Sequence, residues 1–179
     1  YGLYLFLDGA RLGYGLAAPD NDLTLPEIAA LCDVFYIGGT KVGALFGEAV
    51  VIKNPELAQD FRYLIKQNGG MLAKGRLLGL QFDALFTDGL YQEISAHAIA
   101  MAEKLREAFT AKGYNYLAPN RTNQIFVIVP DAHLAKISEQ FEYSYDQRID
   151  ATHSCVRFCT GWATKEENVD ALIRCVEQL

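Results

Sequence analysis

Short continuous apolar runs dominate the first part of the chain, and helical apolar stripes followed by alternating strands dominate the second. Leu3 to Leu7 is a fully apolar run that predicts a buried strand, with Asp8, Gly9, Ala10 and Arg11 delivered at its carboxyl end. Leu12 to Ala17 predicts a short helix. Thr24 is placed to cap a helix from Leu25 or Pro26 to Leu31, because Pro is tolerated in a first turn and Glu27 follows the cap by three residues. Val34 to Ile37 predicts a second buried strand, closed by Gly38 and Gly39, and Glu48 to Ile52 a third. Together they predict a largely parallel sheet, whose ligands belong beyond the carboxyl ends of its strands.

Helical spacing takes over at Pro55, where Leu57, Phe61, Leu64 and Ile65 predict one helix ended by Asn68-Gly-Gly70. A further helix is expected from Met71 to about Phe86, with Lys74 and Arg76 near its start. Cations in a first turn oppose the helix dipole; two solvated side chains are the expectation, with an anion held there as the alternative. The longest helix runs from Tyr91 to about Ala111, with Ile94, Ala98, Met101, Leu105 and Phe109 on one stripe and Gly113 as its stop. Shorter elements follow: strands at Tyr114 to Leu117, Asn123 to Val129, Tyr143 to Tyr145 and Cys155 to Thr160, a helix from Ala132 to Gln140, and a closing helix from Glu166 to Leu179. Thr164 and Glu167 are spaced as a capping box for that last helix. The change of pattern predicts an α/β part over residues 1–95 and an α+β module over residues 96–179.

Composition narrows the classes of function. The chain has 179 residues, about half of them apolar, with a net charge of -6 and a pI near 5. That balance carries no electrostatic footprint for nucleic acid or an anionic membrane. No apolar run approaches the roughly 20 residues needed to span a bilayer. Cys32, Cys155, Cys159 and Cys175 fit neither a zinc ribbon nor a disulfide framework, and read as free thiols of a cytoplasmic protein. The abrupt start in an apolar strand, without an initiator Met, leads us to expect a missing upstream part.

Lys41 is the residue around which the chemistry is organised. An amine becomes a nucleophile when apolar surroundings disfavour its charged form, and a lysine held by glycines at a strand end is expected to be partly buried in that way. The Asp8 and Arg11 pair is expected at the same ligand-binding edge. Arg157, on a strand with Val156 and Phe158 pointing the other way, offers a planar guanidinium for bidentate capture of a carboxylate, or for a surface salt bridge. His97, His133 and His153 are the histidines, and none occupies a motif position; His97 is expected at the surface or boundary, and His153, just ahead of the Arg157 strand, is the least remote as a base, with a surface role as its expectation. The order of residues 38–43 excludes a phosphate-binding P-loop.

Several spaced motifs agree in order. Leu7-Asp-Gly-Ala-Arg11, Gly38-Gly-Thr-Lys-Val-Gly43, Gly69-Gly-Met71, Val156-Arg-Phe-Cys-Thr160 and Trp162-Ala-Thr-Lys-Glu-Glu-Asn-Val-Asp170 together resemble the low-specificity L-threonine aldolases and related β-eliminating lyases. The resemblance covers essentially the whole chain. It implies an α/β architecture, part of the fold type I large domain with a mostly parallel sheet and helices, followed by a small C-terminal α+β domain. It implies pyridoxal phosphate as cofactor and cleavage of the Cα–Cβ bond of L-threonine or L-allo-threonine to glycine and an aldehyde. The alternatives are β-elimination on another amino acid, or an inactive fragment serving as an assembly module. By position, Lys41 matches the lysine that bonds to the cofactor, Asp8 the carboxylate at its pyridine nitrogen, and Thr40 the small hydroxyl residue beside the lysine. Arg11 matches the arginine near the cofactor's 3-oxygen and the substrate carboxylate, and Arg157 the small-domain arginine that binds that carboxylate. Leu72 stands where the family often has arginine, so Lys74 and Arg76 receive no carried-over role. The phosphate-gripping loop and the ring-stacking aromatic are expected upstream of Tyr1. The resemblance further implies a small amino-acid substrate, a homodimer or homotetramer, and neither nucleic acid nor membrane as partner.

Overall fold

β-branched and aromatic side chains at Val34–Gly38 make the central strand of the first sheet, β2, in the computed structural model, which describes residues 1–179. Residues Tyr1–Leu16 with Asn21–Ile94 form one compact unit, and Ala17–Asp20 with Ser95–Leu179 a second; each is described by itself.

In the first unit, β1 (Phe6–Leu7) runs parallel to β2, with Phe6 opposite Val34 and Leu7 opposite Phe35. The expected strand from Leu3 is shorter than predicted, because only its last two residues pair with a neighbour, and Leu3 to Phe6 remain exposed. β3 (Glu48–Ile52) pairs with β2 antiparallel, which corrects the expected direction of this strand. The reason is the length of the connection. Residues 39–47 suffice for a return hairpin but fall short of the dozen or more that a parallel crossover needs. Period-two alternation sends Phe35 and Ile37 into the core, and leaves Val34 and Tyr36 on the opposite face.

Short helices complete this unit. α1 (Leu12–Leu16) follows β1, and α2 (Leu25–Leu31) starts at Thr24, whose N–H and hydroxyl both donate to the Glu27 carboxylate at 2.7 and 2.6 Å. The single helix expected from Pro55 is two, α3 (Pro55–Ala58) and α4 (Phe61–Gln67). Asp60 breaks it, in the left-handed region at φ 56°, where Asp is among the few side chains tolerated. α5 (Arg76–Phe86) starts five residues later than expected, with Gly75 at its N-cap, so Lys74 lies before the helix and Arg76 opens it. α6 (Leu90–Ala111) gives its first residues to this unit and the rest to the second.

The second unit is built on a four-stranded antiparallel sheet in the order β4-β5-β7-β6. Its strands are β4 (Asn115–Tyr116), β5 (Gln124–Pro130), β6 (Ser144–Arg148) and β7 (His153–Cys159). Ile125, Val127 and Val129 of β5 and Val156 and Phe158 of β7 form one buried face. Against it pack Met101, Leu105 and Phe109 of α6, Leu134 and Ile137 of α7 (Asp131–Ile137), and Val169, Leu172 and Val176 of α8 (Glu166–Glu177). Burying each such side chain contributes about 1.5–3 kcal/mol. The capping box expected at Thr164 does not form: Lys165 is the N-cap of α8, and the Thr164 hydroxyl instead accepts from Gly161 N–H at 2.8 Å. No helix is long and apolar enough to cross a membrane.

Candidate active site

The carboxyl ends of the parallel pair β1 and β2 lie at one edge of the first sheet, and the Asp8 and Lys41 segments leave from that edge. Two glycines let the chains approach there. A Cβ on Gly9 would collide with the carbonyl of Tyr36, and one on Gly38 with the carbonyl of Ala10. The backbones are instead joined directly, Gly38 N–H donating to Gly9 O at 2.9 Å.

Asp8 is exposed, and its Oδ1 accepts twice, from the Tyr36 hydroxyl and from Ala10 N–H at 3.0 Å. In the parallel register Asp8 follows the Leu7–Phe35 pair, so its side chain emerges on the Tyr36 face. The Tyr36 hydroxyl holds the Asp8 carboxyl below its ordinary range, helped by the Ala10 N–H and by the positive charge of Lys41. The same bond pushes the Tyr36 phenol up to about 12, with Glu48 adding to the effect. Glu48 sits opposite Gly38 on β3 and accepts from Gly39 N–H at 2.8 Å, fixing the start of the lysine turn.

Lys41 is exposed, whereas its neighbour Val42 is fully buried. The expected shelter of the amine by apolar side chains is therefore not found within this unit, because the turn buries Val42 and Ala44 and turns Thr40 and Lys41 outward. What is fixed is the backbone. The buried Tyr14 of α1 donates its hydroxyl proton to the Lys41 carbonyl. Tyr91 of α6 accepts from Gly13 N–H at 3.0 Å and donates to Gly38 O at 3.1 Å. Burial of Tyr91 pushes its phenol up to about 12, so it stays a donor. Arg11 is half-buried in the turn before α1, and Thr40 is exposed. Asp8, Arg11, Thr40 and Lys41 thus all belong to the first unit.

Arg157 belongs to the second. Its guanidinium lies over the ring of Phe126, its partner across β5, with 5.9 Å to the centroid, and Nη1 donates to Gln124 Oε1 at 3.3 Å. Its Nε is buried without an acceptor. The histidines are engaged elsewhere in the same unit: His97 with Thr164 O at 2.8 Å, His133 with the Tyr114 hydroxyl at 2.7 Å, and His153 with Asp150 at 3.1 Å. His153 opens β7 four residues before Arg157, on the order of 13 Å along the strand.

Tyr14, Tyr36, Glu48 and Tyr91 are the residues of this edge that sequence reasoning missed. The three tyrosines sit in apolar runs or helical stripes where a tyrosine counts as core and its hydroxyl has no visible destination, and Glu48 opens an apolar strand. The signal available was the Asp8 to Tyr36 register: two parallel strands ending in Asp-Gly and Tyr-Ile-Gly place those side chains on one face.

A threonine aldolase from Leishmania major superposes on this arrangement with a TM-score of 0.96, at 42% identity over 99% of this chain and 52% of that one. The chain matches the threonine aldolases. A curated low-specificity L-threonine aldolase from Pseudomonas sp. is 31% identical across 96% of this chain and 49% of its own length. Another, from Pseudomonas aeruginosa, is 29% identical across 97% and 49%. The chain therefore spans about half the length of the curated threonine aldolases it matches. A serine palmitoyltransferase from Sphingomonas wittichii, at 16% identity and a TM-score of 0.67, shares the fold, that of the fold type I enzymes. No family model matches the chain.

Proposed function

We propose that this threonine-aldolase-like chain is the lysine-bearing part of a pyridoxal phosphate-dependent lyase that cleaves L-threonine, L-allo-threonine and related β-hydroxy-α-amino acids to glycine and an aldehyde. The observation that carries the proposal is that Asp8 and Lys41 both leave the sheet edge where the parallel strands β1 and β2 end, the edge at which such strands present ligands.

The residues suit the cofactor. Lys41 is exposed and carries the amine for covalent attachment, and its turn is fixed by Tyr14, Tyr91 and Glu48. Asp8, ionised over the physiological range, has both of its hydrogen bonds on Oδ1, and Oδ2 is available to a protonated ring nitrogen. When bound, pyridoxal phosphate supplies an electron sink for the pair released from the breaking Cα–Cβ bond. Arg11 is assigned to the cofactor's 3-oxygen and the substrate carboxylate, and Thr40 supports the lysine. Arg157 is assigned to the substrate carboxylate; its unpartnered Nε and rigid strand suit a donor meant for an anion. Residues 1–95 are assigned to the cofactor-binding large domain and 96–179 to the small domain. The site is completed by parts of the enzyme outside this chain, in a homodimer or homotetramer, and four unpaired thiols suit the reducing cytoplasm.

Product analysis tests this reading. Incubation of the full-length protein with pyridoxal phosphate and L-threonine is expected to give glycine and acetaldehyde in equal amounts. Release of a 2-oxo acid and ammonia assigns the protein to β-elimination instead.

A further inference from the structure

Tyr36 is the one side chain that donates to the Asp8 carboxylate, and its bond shares Oδ1 with the Ala10 N–H. Three contacts fix its position. Its backbone pairs with Val50 in β3, its ring lies 6.1 Å from that of Phe6, and its hydroxyl reaches Asp8. A carboxylate on a turn just past a two-residue strand is free to rotate about χ1 and χ2 unless something holds it. Ala10 N–H alone is a local Asx-type contact that anchors one oxygen without fixing the plane of the group. Adding a rigid phenol, itself anchored in the middle strand, fixes that plane.

We propose that Tyr36 is a positioning residue, which clamps Oδ1 of Asp8 so that Oδ2 is the oxygen presented to the protonated nitrogen of a pyridine-type cofactor. The inference rests on the cofactor assignment above and adds a residue to it. The clamp acts in two ways. It orients the carboxylate, and it stabilises the ionised form, which is the form able to keep a proton on the ring nitrogen. The phenol stays protonated up to about pH 12, so it remains a donor wherever the enzyme works. The charged and titratable groups that act on this pair are Lys41 on Asp8 and Glu48 on Tyr36; the opposite sign of their charges separates their effects.

The test compares the unaltered protein with Tyr36→Phe, which keeps the ring and removes only the hydroxyl. In cofactor-free protein carrying 13C-labelled aspartate, the Asp8 carboxyl midpoint is expected to rise in the variant, because the phenol no longer favours the ionised form. In the unaltered protein, the Tyr36 13Cζ resonance is expected to register the protonation of Asp8 as an inflection in acid, a readout that needs no variant to fold. With pyridoxal phosphate added, Tyr36→Phe is expected to keep the visible absorbance band of lysine-bound cofactor but to shift its pH profile, and to lower kcat more than it changes KM. An Asp8 midpoint unmoved by the substitution, or no acid inflection at Tyr36, overturns the clamp. Absence of any cofactor band in the unaltered protein overturns the cofactor assignment instead, and is read from a different sample.

Discussion

The hydroxyl of Tyr14 donates to the main-chain carbonyl of Lys41, tying the first helix to the turn that carries the amine. Tyr14 is 1% exposed, so removing its hydroxyl leaves a part-buried carbonyl short of a donor. Tyr14→Phe is expected to cost about 1 kcal/mol, or roughly 2–4 °C in Tm for a chain of this size. Thermal unfolding checks the stability. Hydrogen exchange at Val42 N–H, which bonds to Gly39 O at 2.9 Å, checks that the loss is local to the lysine turn.

Gly9 is the second support of this edge, because any side chain there runs into the carbonyl of Tyr36. Gly9→Ala forces backbone apart from backbone, which no rotamer change relieves. The expected cost is about 3 kcal/mol, at the upper end of ordinary overpacking. No loss is expected for Gly15→Ala in α1, where an added Cβ meets nothing within 4 Å and Ala favours the helix. Equal effects of the two substitutions in urea unfolding contradict the close approach of β1 and β2.

Acid dependence locates a third feature, in the turn between β6 and β7. Asp150 accepts from Thr152 N–H at 2.7 Å and from the His153 ring at 3.1 Å, and these bonds hold its carboxyl down to about 2. A folded-state pKa below the unfolded value stabilises the fold above the unfolded pKa, and that stabilisation is lost as pH falls through about 2. Denaturant titrations at several pH values are expected to give a curve that falls between about pH 4 and 2 in the unaltered protein. Asp150→Asn is expected to flatten it. Parallel curves contradict the assignment.

Much of this was legible in the residues because period and punctuation are local signals. The stripe of Ala98, Met101, Leu105 and Phe109 is the buried face of α6, and the alternation of Ile125, Val127 and Val129 is the buried face of β5. Thr24 and Glu27 meet at their helix start as their spacing demands. Features set by tertiary partners were not legible. The direction of β3 depends on what the 39–47 connection can span, and the break at Asp60 on one residue entering the left-handed region. Thr164 has the spacing of a cap, yet its hydroxyl finds Gly161 first. Tyrosine patterns as apolar, so a sequence carries no indication that Tyr14, Tyr36 and Tyr91 send their hydroxyls to Lys41, Asp8 and Gly38. The outward turn of Lys41 belongs to the same class, since glycines mark where a loop bends but not which side chain it buries.

The central claim is that the amine at position 41 is the attachment point of the cofactor, and borohydride trapping tests it most directly. The protein is incubated with pyridoxal phosphate, reduced, digested and mapped by mass spectrometry. The account predicts a stable pyridoxyl adduct on Lys41, loss of the visible band in Lys41→Ala, and retention of that band in Lys74→Ala. An adduct spread over other lysines with none at Lys41, or a band that survives Lys41→Ala, contradicts it.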